Sequence, residues 1–94
     1  MATTSPKVTV VGSFAVGLTL RAQRFPVAGE TLIGSKFDIG PGGKGSNQAV
    51  GAARLDAESH LIASIGLDLF GDMAVDLYDK EGVQVTHLKR TKEL

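Results

Sequence analysis

The most regular apolar stretch lies near the start of the chain, where Lys7-Val8-Thr9-Val10-Val11 is almost wholly β-branched and stops at Gly12. A continuous run of that kind predicts a buried parallel strand over 7–12. Leu18 to Ala22 and Glu30 to Ile39 alternate only roughly and are broken by Pro26, Gly29 and Gly34. That pattern predicts exposed antiparallel strands between about 18 and 39. Leu18, Leu20 and Phe25, or Ile33 and Phe37, then give this small sheet one apolar face. Gly40-Pro41-Gly42-Gly43-Lys44-Gly45 opens a helix to Leu55, a loop-and-helix unit over 40–55 whose apolar positions are Ala49, Val50, Ala52, Ala53 and Leu55. Side chains so small predict close packing on a sheet rather than a broad hydrophobic stripe. His60 to Gly66 reads as a second core strand. Asp68 is placed to cap a helix over 69–81, with Phe70, Met73, Ala74, Leu77 and Tyr78 inward and Gly82 as its stop. Val83 to Val85 begins another strand, and Met1 to Pro6 is polar and expected to be loose.

Strand, small sheet, helix, strand, helix, strand is one α/β unit with side strands inserted early. No internal repeat and no low-complexity tract divides residues 1–94. A parallel sheet of so few strands leaves edges that want partners. Composition changes the picture by exclusion. Lys plus Arg and Asp plus Glu number ten each, so no basic field is built for nucleic acid or an anionic membrane. The absence of Cys removes disulfides and thiolate chemistry and suits a reducing compartment. Val8 to Leu20 has the apolar character of a signal segment, but it is too short to span a bilayer and lacks a small-x-small cleavage site. Lys92-Glu93-Leu94 only loosely resembles a retention address, so the expected location is the cytoplasm.

The chemistry concentrates in Asp38-Ile39-Gly40-Pro41-Gly42-Gly43-Lys44-Gly45-Ser46-Asn47. Glycines at a loop-to-helix junction let backbone approach a ligand and aim the free N–H groups of the helix start at it. Asn47 offers a donor and an acceptor together, which suits a sugar hydroxyl. Lys44 adds a cation. The plain alternative is a glycine turn with an exposed Lys and a local Asn cap. A Walker A loop is excluded, because Asp38 stands where its first Gly is required and Gly45 where Ser or Thr is required. A dinucleotide fingerprint is formally present as Gly40, Gly42 and Gly45, but mixed, charged residues precede it where a core strand should stand.

Gly42-Gly43-Lys44-Gly45-Ser46-Asn47-Gln48-Ala49-Val50, with Ala52-Ala53-Arg54-Leu55 after it, resembles the first signature of the PfkB-type carbohydrate kinases, the ribokinase-like members most closely. Val10-Val11-Gly12-Ser13, Phe25-Pro26-Val27-Ala28-Gly29-Glu30-Thr31 and Ile65-Gly66-Leu67-Asp68-Leu69-Phe70-Gly71 resemble the family's first strand, its approach to the lid and its Gly-x-Asp-x-x-Gly turn. The likeness runs from about Val8 to Val85, in order and spacing.

It implies a ribokinase-like, Rossmann-type three-layer α/β/α sandwich with a small β-sheet lid, of which this chain supplies the amino-terminal part. It also implies transfer of the γ-phosphate of ATP to a sugar hydroxyl with Mg²⁺, and homodimer contact through the lid. Gly42, Gly43, Lys44 and Asn47 match positions lining the sugar pocket. Where the family places an Asn and, two residues on, an Asp that bind sugar hydroxyls, this chain has Ala15 and Gly17, which points to a sugar other than ribose. The family's Gly-Ala-Gly-Asp segment, bearing its base and nucleotide pocket, is not among these residues. No catalytic residue is therefore assigned, and the ATP and Mg²⁺ sites are expected outside this chain.

Other polar residues carry less. Asp72, Asp76 and Asp79 follow helical spacing and read as a solvated face. His60 and His87 lie apart with no ligand partners in sequence, so no metal site is expected. Lys89, Arg90 and Lys92 read as a solvated basic tail. Three functions remain open at this point: the sugar-binding and lid portion of a kinase, a non-catalytic module that self-associates through lid strands or sheet edge, and a nucleotide site at Gly40–Gly45.

Overall fold

The computed structural model describes residues 5–93. The expectation of a loose start therefore falls mainly outside the described residues, as does Leu94. The elements run β1 (Lys7–Val11), β2 (Ala15–Arg21), β3 (Lys36–Gly42), α1 (Lys44–Arg54), β4 (Glu58–Gly66), α2 (Leu69–Glu81) and β5 (Leu88–Thr91). β1, β4 and β5 form a parallel sheet in the order β1-β4-β5, and β2 and β3 form a separate antiparallel pair.

The alternation along β4 decides which face of the sheet is covered. Ser59, Leu61 and Ile65 are buried, as is Val10 of β1, which lies beside Leu61 in the register. Onto this face α1 packs across β1 and β4, while α2 packs on β4 and against α1. Ala49, Ala74, Tyr78 and Val83 complete the buried core. The small side chains of α1 permit the close approach expected of them, and the Ser59 hydroxyl donates to the Ala49 carbonyl at 2.7 Å. Two successive crossovers that step the same way, each right-handed, place both helices on one side of the sheet. Of the three layers expected, the described residues therefore supply the sheet and one helical layer. The other face carries Val11 at 78% exposure beside Ile62 at 37%.

Several boundaries differ from the sequence expectation. β1 stops at Val11, and β4 starts two residues early, at Glu58. The lid strands pair from Ala15↔Gly42 through Leu18↔Ile39 and Leu20↔Phe37 to Arg21↔Lys36. Gly40, Pro41 and Gly42 thus belong to a strand, and the helix opens only after Gly43. A two-stranded ribbon has a free edge on each strand, so Pro41 is accommodated without losing an interior ladder bond. Residues 30–35, expected in a strand, are loop. Arg24 holds Glu30 through paired bonds of 2.6 and 2.7 Å, and the Val27 N–H donates to the same carboxylate at 3.1 Å. These bonds fold the segment on itself and remove it from the ribbon.

Leu18, Leu20, Phe37 and Ile39 share one face of the ribbon, as expected, and all are exposed. Phe25 and Ile33 lie in the loop instead. Val83 to Val85 is not a strand: only Gln84 bridges to His60, and the third core strand begins at Leu88. Helix α2 occupies 69–81 as expected, capped by Asp68 and stopped by Gly82 at φ 74°. Phe70, expected inward, is 43% exposed, and so is Leu55 at 84%, beyond the end of α1. Arg54 and Glu81 form an ion pair between the ends of the two helices.

Candidate functional site

The chain leaves β1 through Gly12, Ser13 and Phe14 and enters the lid at Ala15. It returns from the lid at Gly42 and passes through Gly43 alone into α1. Both roots of the lid therefore meet at the carboxyl end of β1, the edge at which ligands bind in open α/β sheets.

Direct backbone contact makes this meeting possible. Gly43 has φ 96°, and a Cβ there would lie 2.5 Å from the Ser13 carbonyl oxygen and 3.0 Å from both Phe14 Cα and Ala15 N. No side chain fits that position in that conformation. A Cβ on Gly45 would stand 2.8 Å from Gly12 Cα, so the first turn of α1 rests directly on the exit from β1. The Ser46 N–H donates to the Ser13 carbonyl at 3.1 Å and the Asn47 N–H to the Gly43 carbonyl at 2.9 Å. The N–H groups of Lys44 and Gly45, at the helix start, have no acceptor a turn earlier within the helix. Beside them the Lys44 and Asn47 side chains are exposed.

Gly42, Gly43, Lys44 and Asn47 thus form one turn against Ser13–Ala15. On the lid face next to it, Ala15 pairs with Gly42 and Gly17 with Gly40. A side chain at Gly40 would meet nothing within 4 Å, and one at Gly17 only the Gly40 carbonyl, 3.7 Å away. The lid floor is open there and presents no side-chain hydrogen-bonding group.

A hollow of about 270 Å³ lies between the root of the lid and the β4–α2 turn, lined by Phe14, Ala15, Val16, Gly66, Asp68 and Phe70 among others. Asp68 accepts the Gly71 N–H at 2.8 Å. Arg90 of β5 donates to the Gly66 carbonyl at 3.1 and 3.2 Å and to Asp72 at 2.8 Å, which pins the turn. The expectation of a solvated basic tail therefore fails for Arg90. Parallel pairing of β5 with β4 carries its guanidinium onto the carboxyl end of the sheet, a long-range effect with no local signal. A larger hollow, about 840 Å³, sits within the lid loop between Leu20, Phe25, Pro26 and Leu32, and none of the predicted site residues lines it.

Asp72, Asp76 and Asp79 are exposed, Asp76 pairing with Lys80 at 2.8 Å. His60 lies 2.9 Å from Glu58. Among the described residues, no three His, Asp or Glu side chains gather where they could hold a metal ion. No helix there is long and apolar enough to cross a membrane.

Sequence reasoning missed the Gly12–Gly45 contact and a buried tie from α2, in which the Tyr78 hydroxyl donates to Ser46 Oγ at 2.7 Å. A Ser in the first turn of a helix with small neighbours was the only local hint. Burial pushes the Tyr78 phenol above its ordinary pKa, and the bond to Ser46 partly offsets this.

A glycine-lined helix start at the carboxyl edge of a parallel sheet, with a two-stranded lid rooted beside it, defines a lidded α/β ligand-binding unit. Residues 5–94 match the model of the pfkB family carbohydrate kinases. The chain is 38% identical over 80 residues to a ribokinase of Bacillus subtilis and 44% over 78 residues to one of Lactococcus lactis. These matches cover 85% and 82% of this chain, but 27% and 26% of those relatives. A ribokinase of Arabidopsis thaliana, solved with ribose and ATP, superposes with TM-score 0.86 at 27% identity over 96% of this chain and 30% of that one. A Thermotoga maritima ribokinase superposes with TM-score 0.83 at 32% identity over 92% and 29%. The chain belongs to the pfkB family of carbohydrate kinases, and its fold is the amino-terminal portion of the ribokinase fold.

Proposed function

We propose that these residues are the sugar-binding and lid portion of an ATP-dependent carbohydrate kinase that phosphorylates a sugar hydroxyl. The observation that carries this reading is the convergence of both lid roots on the Gly43–Asn47 turn at the carboxyl edge of the sheet. Gly42 and Gly43 let a sugar approach the backbone, the helix-start N–H groups donate to it, and Asn47 both donates and accepts. Lys44 places a positive charge beside the reacting hydroxyl or the incoming phosphate. The lid excludes water while the sugar is bound. The described residues do not by themselves gather a Mg²⁺ site, and in this reading other residues hold ATP and the metal. ATP supplies the phosphoryl group, and this chain binds and orients the acceptor.

Ala15 and Gly17, paired with Gly42 and Gly40, leave the root of the lid floor open and without side-chain donors, which favours a sugar that is bulkier or substituted on that side over ribose itself. The matched relatives include ribokinases and a deoxyribokinase of Salmonella typhi, 36% identical over 83 residues, so pentoses belong in the test beside hexoses. The second reading, a self-associating module, is favoured by the exposed apolar face of Leu18, Leu20, Phe37 and Ile39. That face also suits homodimer contact within a kinase, so the two readings share a surface and differ in catalysis.

The test is ATP consumption, by a polypeptide that carries these residues together with those that hold ATP and the metal, over a panel of pentoses, deoxypentoses and hexoses, with Asn47→Ala beside wild type. Sugar-dependent turnover whose sugar KM rises at least tenfold in Asn47→Ala is the expected result. No sugar binding by any member of the panel, together with concentration-dependent self-association, would favour the module.

A further inference from the structure

The helix that carries the sugar-binding turn begins without a side-chain cap, since Gly43 occupies the capping position and has no side-chain oxygen to offer. An uncapped helix start frays unless something else holds its first turn. In this protein Ser46 is held on two sides. Its N–H donates to the Ser13 carbonyl, and its hydroxyl accepts from Tyr78, 32 residues away on α2. Both Ser46 and Tyr78 are buried, at 1% and 0% exposure. The Tyr78 ring also meets Phe14 edge-on, with centroids 6.2 Å apart and planes at 79°. Phe14 is the residue from which the lid springs. One side chain therefore touches both roots of the lid: the incoming root through the Phe14 ring, and the outgoing root through Ser46, three residues beyond Gly43.

We infer that Tyr78 is a positioning residue for the sugar turn: the Ser13 carbonyl accepts the Ser46 N–H in place of a side-chain cap, and Tyr78 holds Ser46 from the other side, fixing Lys44 and Asn47 relative to the exit from β1. This rests on the kinase reading for its effect on sugar, but the tie itself can be read without any sugar. Asn47 follows Ser46 directly, so a first turn released from Tyr78 moves the Asn47 amide away from its binding geometry. ATP, held elsewhere in that reading, is not affected.

The experiment compares Tyr78→Phe, Ser46→Ala and the double variant with wild type. Tyr78→Phe keeps the ring and its contact with Phe14 and removes only the donor. Two readouts are taken: amide hydrogen exchange at Ser46 and Asn47, and KM for the best sugar of the panel against KM for ATP and kcat. In Tyr78→Phe, exchange at Ser46 and Asn47 accelerates about tenfold while the middle of α2 is unchanged. The sugar KM rises about five- to tenfold, the loss expected for one net hydrogen bond, with the ATP KM constant. The double variant leaves no buried hydroxyl unpaired, so its melting temperature returns toward wild type while the sugar KM stays raised. Unchanged exchange in Tyr78→Phe, or a sugar KM that recovers together with stability in the double variant, overturns the assignment. No sugar turnover by a wild-type polypeptide that also carries the ATP-holding residues refutes the kinase reading instead, and the exchange result then decides the tie alone.

Discussion

Gly45 and Gly51 lie in the same helix, and alanine at each should move stability in opposite directions. Alanine is favoured over glycine in a helix by about 0.8–1 kcal/mol, because glycine loses more backbone freedom on folding. At Gly51 nothing lies within 4 Å of the new methyl, so Gly51→Ala should stabilise the protein by roughly 0.5–1 kcal/mol. At Gly45 the methyl would stand 2.8 Å from Gly12 Cα, 3.0 Å from Ser13 N and 3.1 Å from the Gly12 carbonyl carbon. All three are backbone atoms of the exit from β1, so no rotamer change relieves the contact. Helix and strand must separate by roughly 0.5 Å, and overpacking of this kind costs about 1–3 kcal/mol. The clash outweighs the propensity gain, and Gly45→Ala should be net destabilised by up to about 2 kcal/mol. Urea and thermal unfolding followed by circular dichroism read both variants. In a domain of this size the melting temperatures should differ by on the order of 10 °C, with wild type between them. The same separation pushes the Gly43–Asn47 turn outward, so Gly45→Ala should also weaken sugar binding while Gly51→Ala leaves it alone. A Gly45→Ala protein as stable as Gly51→Ala would refute the close packing of α1 on β1.

Other outcomes follow from single contacts. Asp68→Ala removes the hydroxyl-free carboxylate cap of α2 and should cost about 0.5–2 kcal/mol, measured in the same unfolding assay. Leu61→Ala, at the fully buried centre of the sheet, should cost about 2–5 kcal/mol, enough to leave a domain this small largely unfolded at 37 °C. The Arg24 guanidinium, with the Val27 N–H, holds the Glu30 carboxyl below the usual glutamate range. A depressed folded-state pKa means that this loop contact is complete above the ordinary glutamate value and is lost as pH falls through the lowered one. Carboxyl titration by NMR should place Glu30 below the ordinary glutamate range and move it back toward that range in Arg24→Gln.

The local chemistry of the chain determined much of this protein without a fold. The β-branched run before Gly12, the Asp68 cap and the Gly82 stop fix a strand and a helix by backbone sterics and by hydrogen bonds within a few residues, and the structure has the helix over Leu69–Glu81 and the strand over Lys7–Val11, one residue short of the expected end. The glycine turn with Lys44 and Asn47 stood out as a candidate because it puts glycine, amide and cation at one junction, and the structure brings these residues together where β3 meets α1. Only tertiary structure decided the rest. Residues 30–35 lie outside the ribbon, in a loop where Glu30 bonds to Arg24 and the Val27 N–H instead of pairing across strands. Arg90 reaches the site edge because β5 pairs in parallel with β4, and Tyr78 reaches Ser46 because both helices fall on one face of the sheet. Periodicity in sequence says which face of an element is apolar. It carries no information about which distant polar group will meet a buried hydroxyl, because that is set by the path of the chain through space.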